Sequence, residues 1–345
     1  MKARLSVSII FVIAILSTAL YIREKKKTHS NPDIPVNSNT AIELYKHQFA
    51  EQHLGTLVQI VFYSEQNEAE AEQLSKRCFQ RIHELNAMLS DYLPDSEVSK
   101  LSQRPLGEPH KVSDELFTII AFAQTISEQT DGAFDITFGK HTQRWRKQET
   151  ANDKVLELTD YRDLILDHNK QTITLNKPLK IDLGAIGKGY IADQLMQIIK
   201  KDGITKAAVI IGGETVLADA PPNKDGWHIG IENPEHQIIG KLVLSNTAIS
   251  TSGDSYQFFE LDGKRQAHLI DPKTKQGKTN RLNVTTIAPT SMEADTWATA
   301  LRILPTARAL EIAHNVPKLE ALFIPHLESS QQTNNFPKIR PLEKK

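Results

Sequence analysis

The chain has 345 residues, 39% of them hydrophobic, which is enough for one large core or two modest ones. Its 41 basic and 42 acidic side chains give a formal net charge of -1, which argues against nucleic acid as the main partner. Cys78 is the sole cysteine, so an intramolecular disulfide and a cysteine-based zinc cluster are excluded. A buried small hydrophobe is its default reading.

Lys2 and Arg4 precede an apolar run over residues 5–22, and Arg23-Glu-Lys-Lys-Lys27 follows it. Such a run meets the lower limit for a membrane span and equally fits a secretory signal. Basic residues on both flanks leave its orientation open by charge alone. An uncleaved anchor at 1–27 with an exported body is favoured over a cleaved signal, and no cysteine follows the run to carry a lipid. Residues 28–52 read as a polar, Pro-containing tether and then a short helix or extended arm. The body spans 53–327.

Within the body, residues 55–63 alternate as an early strand. Residues 65–89 form an amphipathic helix in which Leu74, Cys78, Ile82, Leu85 and Leu89 recur every three or four positions. A turn-rich loop at 91–99 carries an aromatic at its mouth, and a helix over 114–130 starts at a Ser113 cap. The charged stretch from 140 to about 155 is poor core material. Short strands are predicted at 164–167, 172–175, 179–183 and 207–211, with a helix from Gly184 to about Lys201. Strands near 227–232, 240–245, 257–261 and 265–270 make the second half sheet-rich. Helices follow at 290 onward and 306–314. Beyond Glu328 the Ser, Gln, Asn, Pro and Lys content predicts a loose tail over 328–345. Helices and mixed sheets without a repeat define an α+β architecture.

Asp182 closes an apolar run and is followed by Gly184, Gly187 and Gly189 at the start of a helix. Glycine there permits a tight turn and close approach of a phosphate to helix-end amides. The spacing fits neither the dinucleotide fingerprint nor the P-loop, and such a turn is more often only structural. Lys188 faces either phosphate or solvent. Gly212-Gly213 carries the same two readings, and Thr251-Ser-Gly-Asp254 before Tyr256 looks like a ligand loop. His268 lies between a strand and Pro272. As a neutral imidazole within reach of a hydroxyl it would serve as a base, although a histidine near a strand end is more often structural. Thr290 and Glu293 have capping-box spacing, which places Asp295 and Thr299 one turn apart on one helical face. A carboxylate and a hydroxyl so placed suit a hard cation such as magnesium; solvation or capping is the commoner role of such a pair.

Seven of these segments occur in one order: Tyr92-Leu-Pro-Asp-Ser-Glu97, Thr130-Asp-Gly-Ala-Phe-Asp135, Ile181-Asp-Leu-Gly-Ala-Ile-Gly-Lys-Gly-Tyr190, Gly212-Gly213, Thr251-Ser-Gly-Asp254, His268-Leu-Ile-Asp-Pro272 and Met292-Glu-Ala-Asp-Thr-Trp-Ala-Thr-Ala300. Together they closely resemble the FAD:protein FMN transferase family, the ApbE-type flavin transferases, over residues 55–325. The resemblance implies an ApbE-like α+β fold, here preceded by an apolar helix. It implies magnesium-dependent transfer of FMN from FAD to a Thr or Ser hydroxyl of a target protein, with AMP leaving. Acceptors would be subunits of membrane redox complexes or exported flavoproteins, and the catalytic body would face the periplasm from the bacterial inner membrane.

By the same resemblance Asp295 and Thr299 hold magnesium with help from a backbone carbonyl near Ala185. Tyr92 packs on the adenine. Asp135, Asp182, Lys188, Gly212, Gly213, Ser252 and Gly253 shape the flavin and diphosphate pocket, and His268 is the base for the incoming hydroxyl. Three places depart from the family pattern. Leu54 replaces a methionine, Lys140-His141 replaces Pro-Leu, and Asp271-Pro-Lys-Thr-Lys-Gln276 lacks the glycine expected after threonine. Two rival readings stand beside transfer: magnesium-dependent hydrolysis of FAD to FMN and AMP, and a noncatalytic FAD-binding protein of the envelope. Retention of Tyr92, His268, Asp295 and Thr299 favours transfer.

Overall fold

In the computed structural model, residues 43–147, 159–253, 258–261, 264–267 and 269–342 are described. The segments expected to be an apolar N-terminal helix and a tether, together with Asp254, Tyr256 and His268, fall outside them. Strands β1 (Tyr45–His53), β2 (Thr56–Ser64), β3 (Lys206–Ile211), β4 (Glu214–Leu217), β5 (Thr247–Ser252), β6 (Leu282–Ala288), β7 (Glu320–Pro325) and β8 (Gln331–Gln332) form an eight-stranded sheet in that spatial order. Every neighbour pair in it is antiparallel. The sheet is a meander whose long insertions carry helices α1 (Glu68–Leu89), α2 (Glu97–Leu101), α3 (Asp114–Gln129), α4 (Gly139–Arg146), α5 (Gly187–Lys201), α6 (Ser291–Ile303) and α7 (Thr306–Asn315). Among the described residues no helix is long and apolar enough to cross a membrane.

Strand periodicity assigns the two faces. On β3, Ala207, Val209 and Ile211 point to the helical side, while Ala208 and Ile210 point to the other. The helical side holds the larger core, with Phe62, Leu74, Ile82, Leu195, Val284 and Leu301. The opposite side packs Leu217, Ile249 and Leu322 against a hairpin of Trp227–Glu232 and Ile238–Leu244. Strand β6 is buried at all seven positions because it is covered on both faces. Each large side chain so buried contributes about 1.5–3 kcal/mol.

Local signals fix the helix starts. Asn67 and Glu70 form a reciprocal capping box on α1, as Thr290 and Glu293 do on α6, and the Ser113 hydroxyl accepts from the Leu116 amide on α3. All five apolar positions predicted along α1 are buried. Leu54 and Gly55 form the two-residue turn between β1 and β2 with φ of 54° and 71°. Positive φ at both positions matches the twist of the strands it joins.

Two sequence expectations change, at 179–183 and in the tail, and two segments left general acquire a definite form. The arm ending at His53 is strand β1. Residues 179–183 form no strand, only a bridge between Lys180 and Phe138. The charged stretch after Gly139 starts with α4. The tail is docked rather than loose: β8 pairs with β7, Phe336 is 5% exposed, and Arg340 exchanges both backbone hydrogen bonds with Lys241. A Cβ at Gly240 would lie 2.3 Å from the Ile339 side chain, so glycine there admits the tail. Composition missed this because two apolar anchors and backbone pairing carry it.

Candidate active site

Helices α5 and α6 meet at their N-terminal ends beside the Gly212-Gly213 turn. A Cβ at Gly189 would sit 2.3 Å from the Ser291 carbonyl oxygen and 2.8 Å from Asp295 Cβ. This glycine therefore serves close helix packing rather than approach of a ligand. The contact lets the Gly189 amide donate to Asp295 Oδ2 at 3.0 Å. Asp193 on α5 reaches the other way, accepting from the Ser291 and Met292 amides at 2.8 Å each. It caps α6 from outside and so fixes where Asp295 and Thr299 stand.

Asp295 and Thr299 are both buried, at 3% and 7% exposure. Lys188 Nζ donates to Glu214 Oε1 at 2.8 Å and lies 3.9 Å from Asp295 Oδ2. Burial pushes the Asp295 carboxyl above the usual range, with Lys188 opposing and Glu214 adding to the rise. Burial works against the Lys188 charge, but Asp295 and Glu214 outweigh it and hold the ammonium above the usual lysine range. Glu214 Oε2 is buried with no hydrogen-bond partner, and Thr299 stands one helical turn beyond Asp295 on α6. Two carboxyls and one lysine thus converge, with Thr299 on the same helix as Asp295.

Glu214 was not singled out in the sequence. Its signal is a carboxylate opening the fully buried strand β4, directly after two glycines. Gly212 needs its φ of 63°, and a Cβ there would be 3.0 Å from the Thr56 hydroxyl. Gly213 faces the Thr251 carbonyl across the β4–β5 pairing, and Gly253 lies against the Asn283 side chain. Ser252 ends β5 next to this turn.

A second group lies at the turn before α5. Asp182 Oδ2 accepts from the Thr142 hydroxyl at 2.6 Å and from Arg146 Nη2 at 2.8 Å, and Oδ1 accepts from the Gly184 amide at 2.8 Å. Arg146 Nη1 also donates to Asp91 Oδ2 at 2.7 Å. Tyr92, next in the chain, is 71% exposed. Ala185 lies in the same turn, just before α5. Asp135 is not joined to either group. It accepts from the Thr137 amide and hydroxyl and from the Tyr161 amide, which closes its own loop. The departure at Lys140-His141 is accommodated structurally: Lys140 Nζ donates to the Pro178 carbonyl, and His141 stacks on Phe138 with ring centres 4.0 Å apart. Burial depresses His141 to a pKa of about 4.

The start of α5, whose N-cap Ile186 makes no side-chain cap, thus stands beside a half-buried lysine and a carboxylate–hydroxyl pair, groups of the kind that suit a polyanionic ligand and a hard cation. The chain belongs to the ApbE family of enzymes, whose family model matches residues 54–323. It is 32% identical over 244 residues to the FAD:protein FMN transferase of Escherichia coli strain K12, covering 65% of this chain and 69% of that protein. The protein of the same name from Buchnera aphidicola subsp. Schizaphis graminum is 31% identical over 323 residues, covering 89% of this chain and 88% of that one. The crystal structure of Pseudomonas stutzeri flavinyl transferase ApbE in its apo form superposes with a TM-score of 0.74 at 26% identity. It covers 85% of this chain and 96% of that chain.

Proposed function

We propose that this chain transfers the FMN half of FAD to a Thr or Ser hydroxyl of an acceptor protein. The new bond joins the acceptor Oγ to the FMN phosphorus, the diphosphate P–O bond breaks, and AMP leaves. The observation that carries this reading is the cluster of half-buried Lys188 with the buried carboxyls of Glu214 and Asp295, with Thr299 on the same helix as Asp295. Lys188 would meet diphosphate oxygens, and the positive end of the α5 dipole favours the same charge.

The donor set fits magnesium. Among the described residues no three His, Cys, Asp or Glu side chains form a cage, so the ion would rest on Asp295, Thr299, a carbonyl near Ala185 and substrate oxygens. That is how this cation is usually held. When bound it would neutralise charge developing at phosphorus and on departing AMP. His268, outside the described residues, is assigned the hydroxyl proton by its match to the family motif, since an unassisted hydroxyl is a poor nucleophile at neutral pH. An N-terminal anchor with a periplasmic body and acceptors among membrane redox subunits or exported flavoproteins complete the proposal.

The test is mass spectrometry of a threonine-containing acceptor domain after incubation with the full-length protein, FAD and magnesium, with Asp295→Ala as control. An FMN-sized covalent gain, absent in the control, is expected. Unmodified acceptor with release of free FMN and AMP would replace transfer by hydrolysis.

A further inference from the structure

Arg146 is the last residue of α4, in the stretch that sequence reading set aside as poor core material. Its guanidinium is gripped by two carboxylates from distant parts of the chain, Asp91 at 2.7 Å and Asp182 at 2.8 Å. Asp91 is itself held: Lys180 Nζ donates to its carbonyl at 2.9 Å and lies 3.8 Å from its carboxylate. Arg146 Cζ lies 4.4 Å from the centre of the Tyr92 ring. On the other side, a Cβ built at Gly184 would be 3.8 Å from Arg146 Nη2, so the guanidinium also borders the turn that leads into α5.

An exposed tyrosine in a loop would ordinarily sample several rotamers and lose that freedom on binding. Here a planar cation, fixed by two charge-assisted hydrogen bonds, covers the ring and holds its plane. At 71% exposure most of the ring still stands open. The guanidinium therefore ties the tilt of an aromatic platform to the turn that receives the diphosphate.

We propose that Arg146 is a positioning residue for the purine half of the dinucleotide, presetting Tyr92 so that an adenine stacks on its open face. This rests on the FAD reading above and adds a residue and a selectivity to it. Arg146 acts before chemistry, so its loss raises KM for FAD and leaves kcat nearly unchanged. FMN lacks the adenosine and binds without using Tyr92.

The experiment is a titration of full-length protein with FAD and with FMN, followed by flavin fluorescence. It compares wild type, Arg146→Lys, Tyr92→Ala and the double variant. Arg146→Lys keeps the charge between Asp91 and Asp182, so the fold survives, but it loses the planar stack. The expected result is a fall of roughly fivefold to tenfold in the preference for FAD over FMN in each single variant. The double variant is expected to match Tyr92→Ala, because both changes disable one platform. Equal weakening of FAD and FMN, or an unchanged preference in Arg146→Lys, would overturn the proposal while leaving the transferase reading intact. A wild-type protein that binds neither flavin would overturn both.

Discussion

Lys188 shows how one side chain sets the chemistry of its surroundings. It sits between Glu214 and Asp295, and the two carboxyls together exceed its single charge. A cation placed on Asp295 and Thr299 relieves that excess. A charged ligand contributes more than a hydroxyl to holding a divalent ion, so Asp295→Ala is expected to lower magnesium affinity more than Thr299→Ala in isothermal titration. Equal affinities in the two variants would sink this assignment. Cys78 supplies a contrasting case. It is fully buried, and burial pushes its thiol up to about 12. Native protein should leave a thiol reagent unconsumed, with one equivalent reacting only after unfolding.

Among elements, α6 depends on α5 for its start as well as for its packing. Asp193 satisfies two amides that Thr290 does not reach. Asp193→Ala should cost about 1–3 kcal/mol in urea unfolding and also weaken FAD binding, because Asp295 rides on the same turn. A variant with unchanged stability would mean that water replaces the carboxylate. The docked tail makes a similar claim: Phe336→Ala should cost about 3–5 kcal/mol, whereas a loose tail would give none. Elements with local signatures were legible in the sequence. The capping residues Asn67, Ser113 and Thr290 and the spacing from Leu74 to Leu89 lie within a few residues of what they specify. What escaped depends on partners far along the chain. Asp193 caps a helix about a hundred residues away, Glu214 meets Lys188 from 26 residues further on, and Arg146 joins Asp91 to Asp182. Asp182, Lys188, Asp295 and Thr299 stood out as candidates through the family motifs, while the closeness of Lys188, Asp295 and Glu214 required the meander to bring β4 to the ends of α5 and α6.

At the scale of the described body, the sheet keeps the Lys188–Glu214–Asp295 cluster on its helical side and gives the opposite face to the hairpin and tail. Buried carboxyls leave a mark on global stability. Burial raises Asp135 to a pKa of about 6 despite three donated hydrogen bonds. The folded state then holds a proton that the unfolded chain has released above about pH 4, so this stabilising contribution is present at low pH and lost as pH rises through about 6. Relative to wild type, Asp135→Asn should therefore gain stability between pH 4.5 and pH 7.5, read from urea midpoints. A gap that does not change with pH would contradict the sign. The central claim is that the Lys188–Glu214–Asp295 cluster receives the diphosphate of FAD together with magnesium. Its most direct test is FAD binding to the full-length protein by calorimetry, with and without magnesium, for wild type and Asp295→Ala. The account predicts that magnesium tightens FAD binding in wild type and has no effect in the variant; the same tightening in both would contradict it.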